Sequence, residues 1–144
     1  MFHAEVQTIN SYYASPKEKH VEPSEVLFLA THEPCTLCSS AITWAGFDNF
    51  YYFFSHEDSR DSFQIGHDLK ILKEVFKHGP GEYARQNSYW TGYNICELIE
   101  NCDENNRRSF RQRAISLRET YQQLSDLYQQ RKGQSDDPAY IPLR

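Results

Sequence analysis

The order of this chain predicts an α/β fold with a mostly parallel sheet and a long C-terminal helix. Three observations carry that expectation. Helix-period and strand-period segments alternate through the first 55 residues, the pattern of parallel strands joined by covering helices. From residue 110 to residue 128 apolar side chains recur at spacings of four and three, which reads as one long helix. Finally, 144 residues, 39% apolar and 15% aromatic, suffice for a single packed core without covalent staples.

The elements follow from local signals. Val6, Ile9 and Tyr13 share one helical face over residues 3 to 14, and the Pro- and charge-rich SPKEKHVEPSE then breaks the pattern. EVLFLAT, residues 25 to 31, is a short apolar run that reads as a strand, and TLCSSAITWAG after it reads as a helix stopped by Gly46. FDNFYYFFS, residues 47 to 55, is dense enough in aromatics to be a strand buried on both faces. HDLKILKEVFKHGPG reads as a further helix, YARQNSYWTGY as a loop, and NICELIENCDENN as a short helix running out into polar residues. Phe110, Ala114, Leu117, Tyr121, Leu124 and Tyr128 form the apolar stripe of the terminal helix. One domain is expected over residues 1–132, with a loosely ordered tail over 133–144.

Charge and cysteine usage narrow the function. A net charge of −5 gives no bulk attraction to a nucleic-acid backbone, so no duplex nucleic acid is expected and a small-molecule partner is. No apolar run reaches membrane-spanning length, and MFHAEVQTIN lacks the basic and apolar regions of a secretory leader, which points to the cytoplasm and no membrane partner. There the four cysteines stay reduced, so metal binding or catalysis is a better use for them than disulfides.

The stretch THEPCTLCSSAI, residues 31 to 42, holds a Cys-x-x-Cys pair at a strand-to-helix junction. Such a pair can be a redox couple, half of a structural zinc clip or part of a catalytic metal site. A redox pair would more often enclose Gly-Pro than the Thr-Leu found here, and Cys96 and Cys102 lack the spacing that would complete a four-cysteine clip. The first helix opens with His3-Ala4-Glu5, and H-x-E followed downstream by P-C-x-x-C, here Pro34 to Cys38, is the two-part signature of zinc-dependent nucleobase deaminases.

With EPCTLCSSAITWA, the chain resembles the cytidine deaminase-like zinc hydrolases over roughly residues 2 to 56, in particular the branch with tRNA adenosine deaminase, guanine deaminase and fungal cytosine deaminase. The resemblance implies an αβα sandwich, bound Zn²⁺ and hydrolytic removal of an exocyclic amine from a base, nucleoside or nucleotide. It implies His3, Cys35 and Cys38 as metal ligands with a fourth position left for water, and Glu5 as the catalytic proton shuttle. Members of the family carry a helix and a β-hairpin ahead of the His-x-Glu helix. Only Met1 and Phe2 precede His3 here, so the sheet is expected to be N-terminally incomplete, to leave an apolar edge at residues 25 to 31 and to form a homo-oligomer.

The rim at the strand ends supplies the remaining candidates. Glu33 and Pro34, beside the metal, and His56 and Asp58, after the aromatic strand, are candidate substrate contacts. Trp90 reads as a core anchor rather than a base-stacking platform, and RRSFRQR, residues 107 to 113, as a solvated helix face. The alternative to a deaminase is a non-catalytic zinc-binding module of the same fold that works in assembly through the Phe110 to Tyr128 stripe.

Overall fold

Helix α1, Ala4–Ala14, starts directly after His3, whose extended backbone makes it the N-cap, although its side chain forms no capping bond. The ring is therefore available for other partners. In this computed structural model, which describes residues 3–79 and 82–131, the chain divides into two units, residues 1–102 and 103–144.

The first unit is built on a three-stranded sheet. Strand β1, Leu29–His32, leads into helix α2, Thr36–Trp44, which closes at Gly46 with φ of 79°. Strand β2, Asn49–Phe54, follows, then the short helix α3, His56–Asp61. Helix α4, His67–Ile71, runs on into a π-helical turn, Leu72–Phe76. Strand β3, Thr91–Asn94, and helix α5, Ile95–Glu100, complete the unit. The strand order is β1-β2-β3 and both pairings are parallel, with Ala30 opposite Tyr52 and Phe50 opposite Gly92. The α/β class with a parallel sheet is thus as the sequence predicts.

The differences have local causes. The strand expected over residues 25 to 31 begins only at Leu29, because Pro23–Glu25 forms a 3₁₀ turn and Asn49 takes up the backbone beyond it, donating to the Val26 carbonyl at 2.9 Å and accepting from the Phe28 amide at 3.2 Å. Strand β2 is not closed on both faces: Phe50, Tyr52 and Phe54 are at most 3% exposed, whereas Asn49, Tyr51 and Phe53 are only half-buried. The loop expected at 83 to 93 contains strand β3. Its TGYN sequence mixes strand-favouring Thr91 and Tyr93 with Gly92 and Asn94, and Gly92 leaves room for the Phe50 ring from the adjacent strand. Helix α3 carries a signal in its sequence, a Ser55/Asp58 capping box in which each side chain accepts from the other's backbone amide.

The core lies on the α2 side of the sheet, where Ile9, Phe28, Ile42, Phe47, Phe50, Tyr52 and Trp90 pack together. Trp90 is the core anchor the sequence suggests: its ring lies 4.8 Å from Phe50 and its indole N–H donates to Thr43 Oγ1 at 2.8 Å. Among the described residues β1 pairs only with β2; Leu29, which alternates with the buried Ala30, is 70% exposed, and Leu27 just before the strand is 74% exposed.

The second unit is described as one helix, α6, Glu104–Arg131. Asp103 accepts from the amides of Asn105 and Asn106, and Glu104 pairs with Arg107 at 3.2 Å and Arg108 at 3.6 Å, so part of the basic run is matched within the helix. Phe110, Leu117, Leu124 and Tyr128 of the stripe are each more than a third exposed. The tail expected over 133–144 lies outside the described residues.

Gly92 gives the sheet a direct test. A Cβ there would sit 2.7 Å from Phe50 Cζ, well inside contact distance. Gly92→Ala should cost about 1–3 kcal/mol of stability by overpacking, measured by chemical denaturation. Adding Phe50→Leu should return part of that loss, since the two changes share one contact.

Candidate metal centre

Parallel pairing with β2 sets the position of the β1 end. Beyond His32 the ladder continues for one bond, from the Glu33 amide to the Phe54 carbonyl at 2.8 Å, and Pro34 then turns the chain into α2 with Cys35 as N-cap. An N-cap and the third helical residue share one side of a helix, so Cys35 and Cys38 present both sulfurs toward the start of α1. There His3 Nδ1 lies 3.4 Å from Cys35 Sγ and 3.3 Å from Cys38 Sγ, and the sulfurs are 3.6 Å apart. Among the described residues these three form the group whose donor atoms all lie within 4.8 Å of one another.

This triangle fits a metal ion. Around tetrahedral zinc, with Zn–S of about 2.3 Å and Zn–N of about 2.0–2.1 Å, sulfurs stand about 3.8 Å apart and each lies about 3.6 Å from the nitrogen. The distances here are within a few tenths of an ångström of those edges. The donor chemistry, two soft sulfurs and an imidazole, suits zinc as well.

The electrostatics point the same way. The two buried thiols cannot both ionise at this separation without a cation, since like charges that close repel strongly in a desolvated setting. Their shared hydrogen bond holds Cys35 down to about 6. Cys38 is pushed up by the same bond, then by burial and by the charge of Cys35. The carboxylate of Glu5 adds to the rise, with Oε2 accepting from Cys38 Sγ at 3.4 Å. Glu5 thus sits at the edge of the donor triangle, half-buried.

The other predicted contacts are arranged differently. Glu33 is buried with a side chain only 1% exposed, and its carboxylate is occupied: Oε2 accepts from the His56 amide at 2.9 Å, and Oε1 accepts from the Tyr83 hydroxyl and lies 3.3 Å from Arg85 Nη2. His56 is 4% exposed, with Nδ1 3.7 Å from Glu33 Oε2. Pro34 and His56 line a hollow of about 310 Å³ together with Phe76, Tyr83 and Trp90, and none of the three metal donors or Glu5 lines it. It adjoins the neighbouring flank of α2, through Thr36, Ser39 and Ser40. Asp58 spends its carboxylate on the Ser55 amide.

Sequence reasoning missed four residues near the centre. Asp68 on α4 is close enough that its charge opposes ionisation of Cys35. His32 is packed against Phe54 and Phe63 at 5.1 and 5.7 Å; burial lowers its pKa, and the carboxylates of Glu5, Asp68 and Asp58 work against that. Tyr83 and Arg85 reach Glu33 from about 50 residues downstream. No spacing rule links these positions to the cysteine motif; only the topology does.

Compared with known proteins, residues 1–54 match the family model described as the cytidine and deoxycytidylate deaminase zinc-binding region. No curated protein and no solved structure matches the chain.

Because Cys35 ionises early and Cys38 late, zinc uptake at pH 8 should release about one proton per ion rather than two. As pH falls through about 6, Cys35 becomes protonated as well; the count should then rise above one and the affinity should drop. Proton release in weakly buffered titrations measures this, and about two protons at pH 8 would mean that both thiols start protonated.

Proposed function

From residues 1–54, which carry a cytidine deaminase-like zinc-binding region, we propose that this protein is a zinc-dependent hydrolase that removes the exocyclic amine from a nucleobase, nucleoside or nucleotide. His3, Cys35 and Cys38 would hold the ion, and Glu5 would move the protons. One observation carries the reading: a carboxylate oxygen lies 3.4 Å from a sulfur of a one-nitrogen, two-sulfur donor set without belonging to it. A structural zinc clip has no use for an acid-base group at its edge, whereas a hydrolytic site requires one.

When bound, zinc supplies Lewis acidity that makes water a competent nucleophile near neutral pH. The chain's own part is proton transfer and orientation. Glu5 Oε2 takes a proton from the attacking water and delivers it to the ring nitrogen next to the amine-bearing carbon as the new C–O bond forms. It then returns the second water proton to the amine, so that the C–N bond breaks with release of ammonia and the carbon is left as a carbonyl. The second-row contacts of Glu33 keep Pro34 and Cys35 fixed while this happens. The four cysteines are free, as a reducing cytoplasm would keep them, and no described helix is long and apolar enough to cross a membrane. The exposed stripe on α6 favours a second reading, an assembly module that keeps the zinc region without turnover.

Substitution separates these roles. Glu5→Gln should retain zinc and lose about 10²- to 10⁴-fold in deamination, the usual worth of a positioned proton-transfer group. Cys38→Ala should lose the metal. Zinc content by elemental analysis and ammonia release over a panel of free bases, nucleosides and nucleotides are the measurements. Equal metal loss in both variants would make Glu5 a supporting group, and a zinc-replete chain that turns over nothing in the panel would favour the assembly module.

A further inference from the structure

We infer that Tyr83 and Arg85 are positioning residues for the metal centre, acting through the buried carboxylate of Glu33. This rests on reading His3, Cys35 and Cys38 as the zinc site. Glu33 directly precedes the Pro34-Cys35 turn, and its own amide is the last ladder bond of β1. Its carboxylate has no exposure to solvent worth counting, at 1%, so its charge must be balanced by protein groups. Those groups come from one distant segment. Arg85 Nη2 lies 3.3 Å from Oε1, and the Tyr83 hydroxyl donates to the same oxygen.

The two residues are suited to holding the carboxylate. Burial and the charge of Glu33 push the Tyr83 phenol well above its ordinary range, so it remains a donor at any working pH. Burial works to lower Arg85, and Glu33, Tyr52 and Tyr83 together more than offset it, so the guanidinium stays charged. The guanidinium is itself held from the other side, 5.6 Å over the Tyr52 ring and 3.5 Å from Glu97 Oε1. Oε2 of the same carboxylate ties down the first amide of α3, at His56. The residue two before a metal-binding cysteine is thus fixed at three points, two of them from residues 83 and 85. Loss of this support should loosen the Cys35 sulfur, as loss of outer partners generally does for metal ligands.

Cobalt(II) in place of zinc reports on the sulfurs directly, through thiolate-to-cobalt charge-transfer absorption. In the full chain, Arg85→Met should weaken cobalt affinity about 10- to 100-fold, measured by chelator competition, and alter that absorption. Tyr83→Phe should act in the same direction with a smaller effect. Because Arg85→Met leaves a buried charge unmatched, adding Glu33→Gln to it should restore much of the affinity, a rescue that a general loss of packing would not show. Trp90→Phe serves as the control: it removes the bond to Thr43 from the same segment and should lower the melting temperature with the cobalt spectrum unchanged. Thiolate absorption that is normal in the parent and unaltered in both Arg85→Met and Tyr83→Phe would overturn the positioning role while leaving the metal centre intact. A parent chain that binds cobalt without thiolate absorption would overturn the metal reading and this inference with it.

Discussion

A single buried carboxylate, that of Glu33, organises this fold. Removing such a group from water costs several kcal/mol, and the cost is offset only if every oxygen finds a partner. Here the partners are drawn from two places distant in the sequence, the start of α3 and residues 83 and 85, and through Arg85 the set reaches the Tyr52 ring on β2. Each of these contacts fixes the relative position of two elements, so the charge acts as a specification for the junction that carries Cys35. An apolar residue at 33 could pack as well, yet it would not tell residues 83 and 85 where to go.

The centre shows a similar economy. Two thiols at a helix start and one imidazole at another make a donor set, with one carboxylate two residues beyond the imidazole at its edge, all from two helix N-termini. That compactness explains why the donor set was legible from residue order. The relation between His3 and Glu5, or between Cys35 and Cys38, is fixed by the geometry of one helical turn and survives any change in the rest of the chain. The alternation of elements was legible for the same reason, as was the Gly46 stop.

What could not be read depends on partners distant in sequence. Strand β3 is only four residues long with Gly92 and Asn94 among them, and its place depends on a glycine that makes room for Phe50 about 40 residues earlier. Asp68 and His32 matter because the charge of Asp68 on α4 reaches the β1 end, not because of their neighbours in the chain. Glu33 was singled out as a candidate substrate contact from its place at a strand end beside the metal; that its side chain is buried and held by Tyr83 and Arg85 follows from a contact no local pattern announces. Helix α3 differs, because its Ser55/Asp58 capping box is a local signal that the sequence reading passed over.

Helix α1 has one feature with a wider consequence. It is 11 residues long, Ile9 is its one buried residue, and a helix of that length is marginal when isolated in water. An ion shared by His3 and Cys35 would join positions 32 residues apart, closing a chain loop whose lost freedom in the unfolded ensemble is worth about 4 kcal/mol on the scale used for covalent cross-links. The same ion would therefore be a staple as well as a reagent. Availability of metal in the cell would then govern how much of this chain is folded at its N-terminal end, before it governed how fast any substrate was turned over.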